Sequence, residues 1–190
     1  MRYRETFVRV DLGAIGRNLR ALKAFVGTPL LAVVKADAYG HGLIPVARTA
    51  VAEGVKMLGV AIPEEGETLR GAGIDCPILV LGGVNARGAE ASVRLGLTET
   101  VYDAEGVRQL QKACERLQKP VSVHIKLDTG MGRIGARNEK EIGRVLSALE
   151  MSPLVRLTGA FTHFADADGV GEAYSREQLS RFETLLDFLP

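Results

Sequence analysis

Leu30-Leu31-Ala32-Val33-Val34-Lys35-Ala36-Asp37-Ala38-Tyr39-Gly40-His41-Gly42 is the stretch that decides the fold. Its first five residues are apolar without alternation, the pattern of a strand buried on both faces of a parallel sheet. The run stops at a lysine. A loop then brings an aspartate, a tyrosine, a histidine and two glycines. A lysine closing a buried strand costs free energy unless it has a partner or a task. In parallel α/β folds this position, just past a strand, is where chemistry sits.

Upstream, Phe7-Val8-Arg9-Val10 reads as a short strand, and Met1 to Glu5 lead into it without a signal-peptide core. Asp11 is placed to cap a helix with Leu12, Ile15, Leu19, Leu22 and Val26 at helical spacing, stopped by Gly27-Thr28-Pro29. Residues 1–29 thus form an N-terminal strand and helix. Downstream the same alternation repeats. Strands are expected at 57–62, 77–81, 97–102, 121–127 and 155–164. Helices are expected at 43–52, 63–71, 85–94, 103–119, 138–150 and 171–189. Pro63 before two acids, Asn85, Asp103 and Asn138 with Glu141 mark helix starts, and Gly54 and Gly96 mark ends. Leu179, Phe182, Leu185, Leu186 and Leu189 should face inward from the last helix. Unbroken strand–helix alternation means parallel strands joined by crossover helices. Six such units run from Leu30. A doubly wound sheet would use six; a (β/α)8 barrel needs eight and typically about 250 residues.

Composition excludes several partner classes. The 190 residues are 46% hydrophobic and 25% charged with a net charge of +1, and no basic run appears, so nucleic acid and anionic membranes are poor partners. No apolar run approaches the length of a membrane span. Two scattered cysteines, Cys76 and Cys114, make neither a disulfide framework nor a metal site and fit reduced thiols of the cytoplasm.

The ends of the strands differ in chemistry. The first delivers Lys35 and Tyr39, the fifth Lys126, Asp128 and Thr129-Gly130-Met131-Gly132-Arg133, the sixth Thr162, His163, Asp166 and Asp168. Those between end blandly at Pro63, Gly82-Gly83 and Asp103. Strand periodicity puts Ser122, His124, Lys126 and Asp128 on one face, where Lys126 and Asp128 need each other, water or a ligand. Gly130 and Gly132 allow positive φ around Arg133, a natural fork for a carboxylate or phosphate. Each residue also has a plain reading. Lys35 could be a solvated loop lysine and Tyr39 a packing tyrosine. His163 could be a satisfied buried histidine, and His41 and His124 structural. Asp37 could serve a turn, and Asp166 and Asp168 could cap the last helix. Convergence of basic and titratable groups from distant stretches on one face favours a site.

Ala32 to Gly42 resembles the cofactor-lysine motif of the alanine racemases, fold-type III enzymes dependent on pyridoxal 5'-phosphate (PLP). Lys126-Leu127-Asp128-Thr129-Gly130-Met131-Gly132-Arg133-Ile134-Gly135, Thr162-His163-Phe164-Ala165-Asp166-Ala167-Asp168 and Val10-Asp11-Leu12 with Ala14-Ile15 and Asn18-Leu19 carry the likeness further. The resemblance covers the whole chain and about the first half of a typical member. It implies a (β/α)8 TIM-type barrel, incomplete over residues 30–190, with the family's C-terminal β-rich domain absent. It implies that Lys35 forms the Schiff base with PLP and is one of two acid/base groups. Tyr39 would bond the cofactor phosphate. Arg133 would lie near the cofactor's phenolic oxygen and the substrate carboxylate, Lys126 would be the lysine carbamylated in some members, and His163 would stand beside the cofactor ring. It also implies interconversion of L- and D-alanine for peptidoglycan, a homodimer supplying the opposing tyrosine base, and no activity from this chain alone. A broader amino-acid or serine racemase, a non-catalytic PLP-binding barrel and a Schiff-base aldolase without PLP are the alternatives.

Overall fold

Six of the expected strands pair in sequence order in one parallel sheet, β1-β2-β3-β4-β5-β6. The structure is a computed structural model and describes residues 6–190. The strands are β1 (Leu31–Val33), β2 (Met57–Val60), β3 (Ile78–Val80), β4 (Thr98–Val101), β5 (Val121–Lys126) and β6 (Val155–Phe161). The helices are α1 (Leu12–Val26), α3 (Leu43–Ala52), α4 (Pro63–Gly71), α5 (Ala86–Leu95), α6 (Ala104–Leu117), α7 (Glu139–Glu150) and α8 (Ala173–Leu186), and α2 (Lys35–Gly40) is a single turn of unusual hand. A doubly wound sheet reverses its strand order at a switch point. This sheet never does, so its right-handed crossovers lay every connecting helix on one face. That is the arrangement of a barrel wall. The opposite face, which in a barrel is the interior, carries the site.

Sequence explains the helix starts. Asp11, Asn85, Asp103 and Asn138 each accept a hydrogen bond from the backbone N–H three residues on, at 2.8–3.0 Å. Glu141 returns a bond to Arg137 N rather than to Asn138, one residue outside the expected capping box. Pro63 opens α4, and Gly27 and Gly96 close α1 and α5 with left-handed backbone.

The helix layer buries two apolar clusters. Val34, Leu58, Val60, Leu69, Ile78 and Leu97 belong to the one beneath β1–β3. Val101, Leu110, Val123, Ile125, Ile142 and Val145 belong to the one beneath β4–β6. Both cysteines are free, and Cys114 is buried.

Two expectations fail. Phe7–Val10 forms no strand: it meets no sheet edge, and Phe7 and Val8 stand 67% and 87% exposed. Met1–Glu5 lie outside the described residues. Leu179 and Leu186 are exposed on α8. The inward stripe runs Gln178, Phe182, Leu185, Leu189, and residues 179 and 186 lie about 100° round the helix from it.

Candidate active site

Leu31, Val33 and Lys35 alternate onto the inner face of β1. With Tyr39, Lys126, Arg133, Thr162 and His163 they line one cavity of about 480 Å³. The five residues singled out in the sequence therefore meet, contributed by the ends of β1, β5 and β6. Gly82 and Gly83, just past β3, also line it.

The backbone after Lys35 is unusual. Ala36, Asp37, Ala38 and Tyr39 all have φ between +51° and +55° and ψ between +40° and +51°, one left-handed helical turn. For residues with a Cβ this costs roughly 1–2 kcal/mol each. Hydrogen bonds hold the turn. Ala38 N donates to Val34 O at 2.8 Å, and Gly42 N to Asp37 O at 2.9 Å. Asp37 Oδ1 accepts from Leu43 N at 2.6 Å, so Asp37 does turn chemistry and starts α3. Glu65 Oε1 accepts from Ala36 N at 2.6 Å. Tyr39 emerges 62% exposed with its side chain along the cavity. Neither the turn nor Glu65 stood out in the sequence: four non-glycine residues carry no left-handed signal, and Glu65 looked like a first-turn acid facing the helix dipole.

On β5, Val121, Val123 and Ile125 face the helix layer and Ser122, His124 and Lys126 the interior. Lys126 is 2% exposed, its Nζ finds no hydrogen-bond partner among the described residues, and it lies 5.0 Å from the Phe161 ring centroid. Burial pulls its pKa down to about 8, Asp128 opposes, and the nearby Arg133 adds to the fall. Of the three options open to Lys126 and Asp128 on a shared strand face, pairing with each other is not the one taken. The strand ends at Lys126, Leu127 bridges to Ala136, and Asp128 turns into its own loop. There its carboxylate accepts from Gly130 N, Gly132 N and Arg137 Nε at 3.1, 2.9 and 3.3 Å. Burial alone would raise this carboxyl; those N–H groups and the guanidinium outweigh it and hold it below its usual range.

Gly130 and Gly132 take positive φ, as does Gly135. They carry Arg133 to the cavity, where no hydrogen bond among the described residues engages its guanidinium. On β6, burial and then the cations of Arg133, Lys126 and Lys35 push the His163 pKa below its ordinary value. Behind His163 lies a part-buried network built on the buried side chains of Thr129 and Gln178. Thr162 Oγ1 meets Thr129 Oγ1 and donates to Leu127 O, both at 2.8 Å. Gln178 of α8 accepts from Ala165 N at 2.9 Å and donates to His163 O at 3.0 Å. Asp166 and Asp168 do not cap α8, which has Glu172 at its start and no side-chain cap. His41 Nδ1 bonds its own turn at Ala38 O, and His124 packs against Gly159, both structural placements.

A larger cleft of about 660 Å³ opens between the 128–137 loop and α8, but its charged groups are already engaged. Asp128 pairs with Arg137, and Arg181 with Glu177 and Thr129 O. The smaller cavity differs: it offers an amine, a phenol, a free guanidinium, an imidazole and a buried Nζ without a partner. That donor set fits an anionic ligand with an aldehyde for the amine and a phosphate for the hydroxyl and cations. No group of three or more His, Cys, Asp or Glu among the described residues is placed to hold a metal.

Residues 10–190 match the family described as alanine racemase, N-terminal domain. The chain belongs to that family. Alanine racemase from Symbiobacterium thermophilum is 47% identical over 184 residues, covering 96% of this chain and 48% of the relative. Alanine racemase 2 of Oceanobacillus iheyensis is 43% identical over 189 residues, covering 98% and 48%. The crystal structure of alanine racemase from Bacillus anthracis with bound L-Ala-P superposes with a TM-score of 0.92 at 40% identity, over 100% of this chain and 49% of that one. The chain thus spans about half the length of the relatives it matches. The alanine racemase family is PLP-dependent, which agrees with the cavity's donor set.

Proposed function

We propose that the protein containing this chain interconverts L- and D-alanine with PLP, and that Lys35 carries the cofactor. The observation that supports this reading is the meeting of Lys35, Tyr39, Lys126, Arg133 and His163 on one cavity of a family member. Bound PLP supplies an electron sink for the Cα carbanion. Tyr39 Oη would hold the cofactor phosphate. Arg133 would hold the substrate carboxylate and the cofactor's phenolic oxygen. His163, whose pKa is lowered by partial desolvation and its cationic neighbours, would stand beside the cofactor ring. Lys35 Nζ moves the Cα proton on one face of the substrate. Inversion needs a second acid/base group on the other face, and we assign that to a partner subunit of a homodimer.

Lys126 fits a modified role. A buried amine with a lowered pKa adds CO2: a nitrogen–carbon bond forms, a proton leaves to solvent, and the resulting carbamate faces the Arg133 guanidinium. Supply of D-alanine to peptidoglycan in the cytoplasm completes the reading. It accords with the absence, among the described residues, of any helix long and apolar enough to cross a membrane.

Lys35→Ala in the full-length protein tests the assignment. It should abolish both the absorbance of lysine-linked PLP and D/L interconversion of alanine. Retained turnover would overturn it, and an assay across amino acids separates alanine from a broader substrate set.

A further inference from the structure

The carboxylate of Glu65 bridges two strand ends. Its Oε1 accepts from Ala36 N at 2.6 Å and its Oε2 from Ala61 N at 2.7 Å. Ala36 follows Lys35 directly and opens the left-handed turn. The first N–H of a helical turn has no partner within the turn. Here Glu65 supplies it from the neighbouring βα unit. On the other side of Lys35, Val34 N donates to Gly59 O at 2.8 Å. The backbone that aims Lys35 is thus pinned immediately before and after it, and both pins reach to β2 or its following helix. Glu64, the adjacent acid, is exposed and makes no such bridge; only its backbone carbonyl is used, by Thr68.

We propose that Glu65 is a positioning residue for Lys35: its two-oxygen bridge fixes the left-handed turn and so the approach of Lys35 Nζ to the reacting atoms. The inference rests on Lys35 being the cofactor-bearing lysine. A glutamine at this position keeps one carbonyl oxygen but presents an NH2 to the second N–H, so it cannot satisfy both donors. An aspartate is one methylene too short to span them.

The test uses the full-length holoenzyme with Glu65→Gln, Glu65→Asp and Glu64→Gln. For Glu65→Gln, amide hydrogen exchange in the 34–42 segment should accelerate about tenfold while the β3–β4 segments stay unchanged. The kcat should fall about 10- to 100-fold with KM for alanine moving less than about threefold, and the lysine-linked PLP band should weaken. Glu65→Asp should fall between wild type and Glu65→Gln, and it carries the test if the amide variant does not fold. Glu64→Gln should match wild type throughout. Wild-type exchange at 34–42, or faster exchange with unchanged kcat and PLP band, overturns the proposal. Failure of the underlying reading shows separately, as a linked band that survives Lys35→Ala.

Discussion

Lys126 and Glu99 are both charged residue types at buried positions, and the fold treats them differently. Lys126 Nζ has no partner and a pKa near 8. Its unprotonated fraction therefore grows as pH rises through about 8, far below the ordinary lysine range. Protein equilibrated with 13C-bicarbonate should show a carbamate resonance that strengthens across that pH and is missing in Lys126→Ala. A resonance that persists in the variant belongs to another lysine and removes Lys126 from this role. Glu99 is on β4, 1% exposed, with Ser92 Oγ of α5 donating to it at 2.5 Å. Burial raises its pKa to about 7, against the opposing bonds from Ser92 and Thr100 N. The unfolded chain releases this proton near pH 4.5 and the folded chain near 7. Between those values the folded state holds more protons, so stability falls as pH rises through the window and the penalty is complete above it. The shift corresponds to at most about 3 kcal/mol. Glu99→Gln keeps an acceptor for Ser92 and cannot ionise. Denaturant unfolding at about pH 5 and pH 7.5 should show a drop for wild type that the variant lacks.

Elements were legible where one residue controls one backbone group. Asp11, Asn85, Asp103 and Asn138 cap helices because a short acceptor side chain needs no tertiary context to reach an N–H. The strands from Leu30 onward were legible from apolar runs. Phe7–Val10 misled because alternation marks a strand only where an edge is available to pair. The left-handed turn was hidden for the opposite reason. One of the bonds that hold it comes from Glu65, remote in sequence, and nothing in Ala-Asp-Ala-Tyr encodes the hand. The convergence of Lys35, Arg133 and His163 was legible because position after a parallel strand is a topological rule; the turning away of Asp128 was not, because it depends on where Leu127 bridges to Ala136. Gln178 shows how an element far along the chain supports that site. It sits in the apolar stripe of α8, yet it satisfies Ala165 N and His163 O. Gln178→Leu leaves those half-buried backbone groups without their side-chain partner, at about 1 kcal/mol each. It should lower the stability of the full-length protein by about 2 kcal/mol with α8 still formed. Thermal unfolding checks the first, and helical circular dichroism the second. Gly135→Ala tests the other loop: at φ +136° its Cβ would stand 2.5 Å from Asp128 N. The variant should displace Arg133 and weaken binding of PLP more than it weakens the helix layer.

At the scale of the whole molecule, the sheet is an arc of six strands. Among the described residues β1 and β6 each pair on one side only. Leu31 and Val33, on the inner face of β1, are 37% and 41% exposed. Unpaired strand edges beside apolar side chains template association with other chains. The same openness bears on function. The cavity draws Lys35 from the end of β1 and His163 from the end of β6, so cationic and titratable groups reach it from both edges of the sheet. Barrel phosphate sites are frequently built from loops beyond the sixth strand, and the relatives are about twice as long as this chain. Residues 1–190 expressed by themselves should therefore self-associate as concentration rises, and light scattering measures this directly. They should also show no D/L interconversion of alanine with PLP added. A monodisperse monomer would mean that the edges are shielded in some other way. Turnover by the isolated residues would mean that Lys35 and its neighbours carry both proton transfers, and the assignment of the second one to a partner subunit would fall.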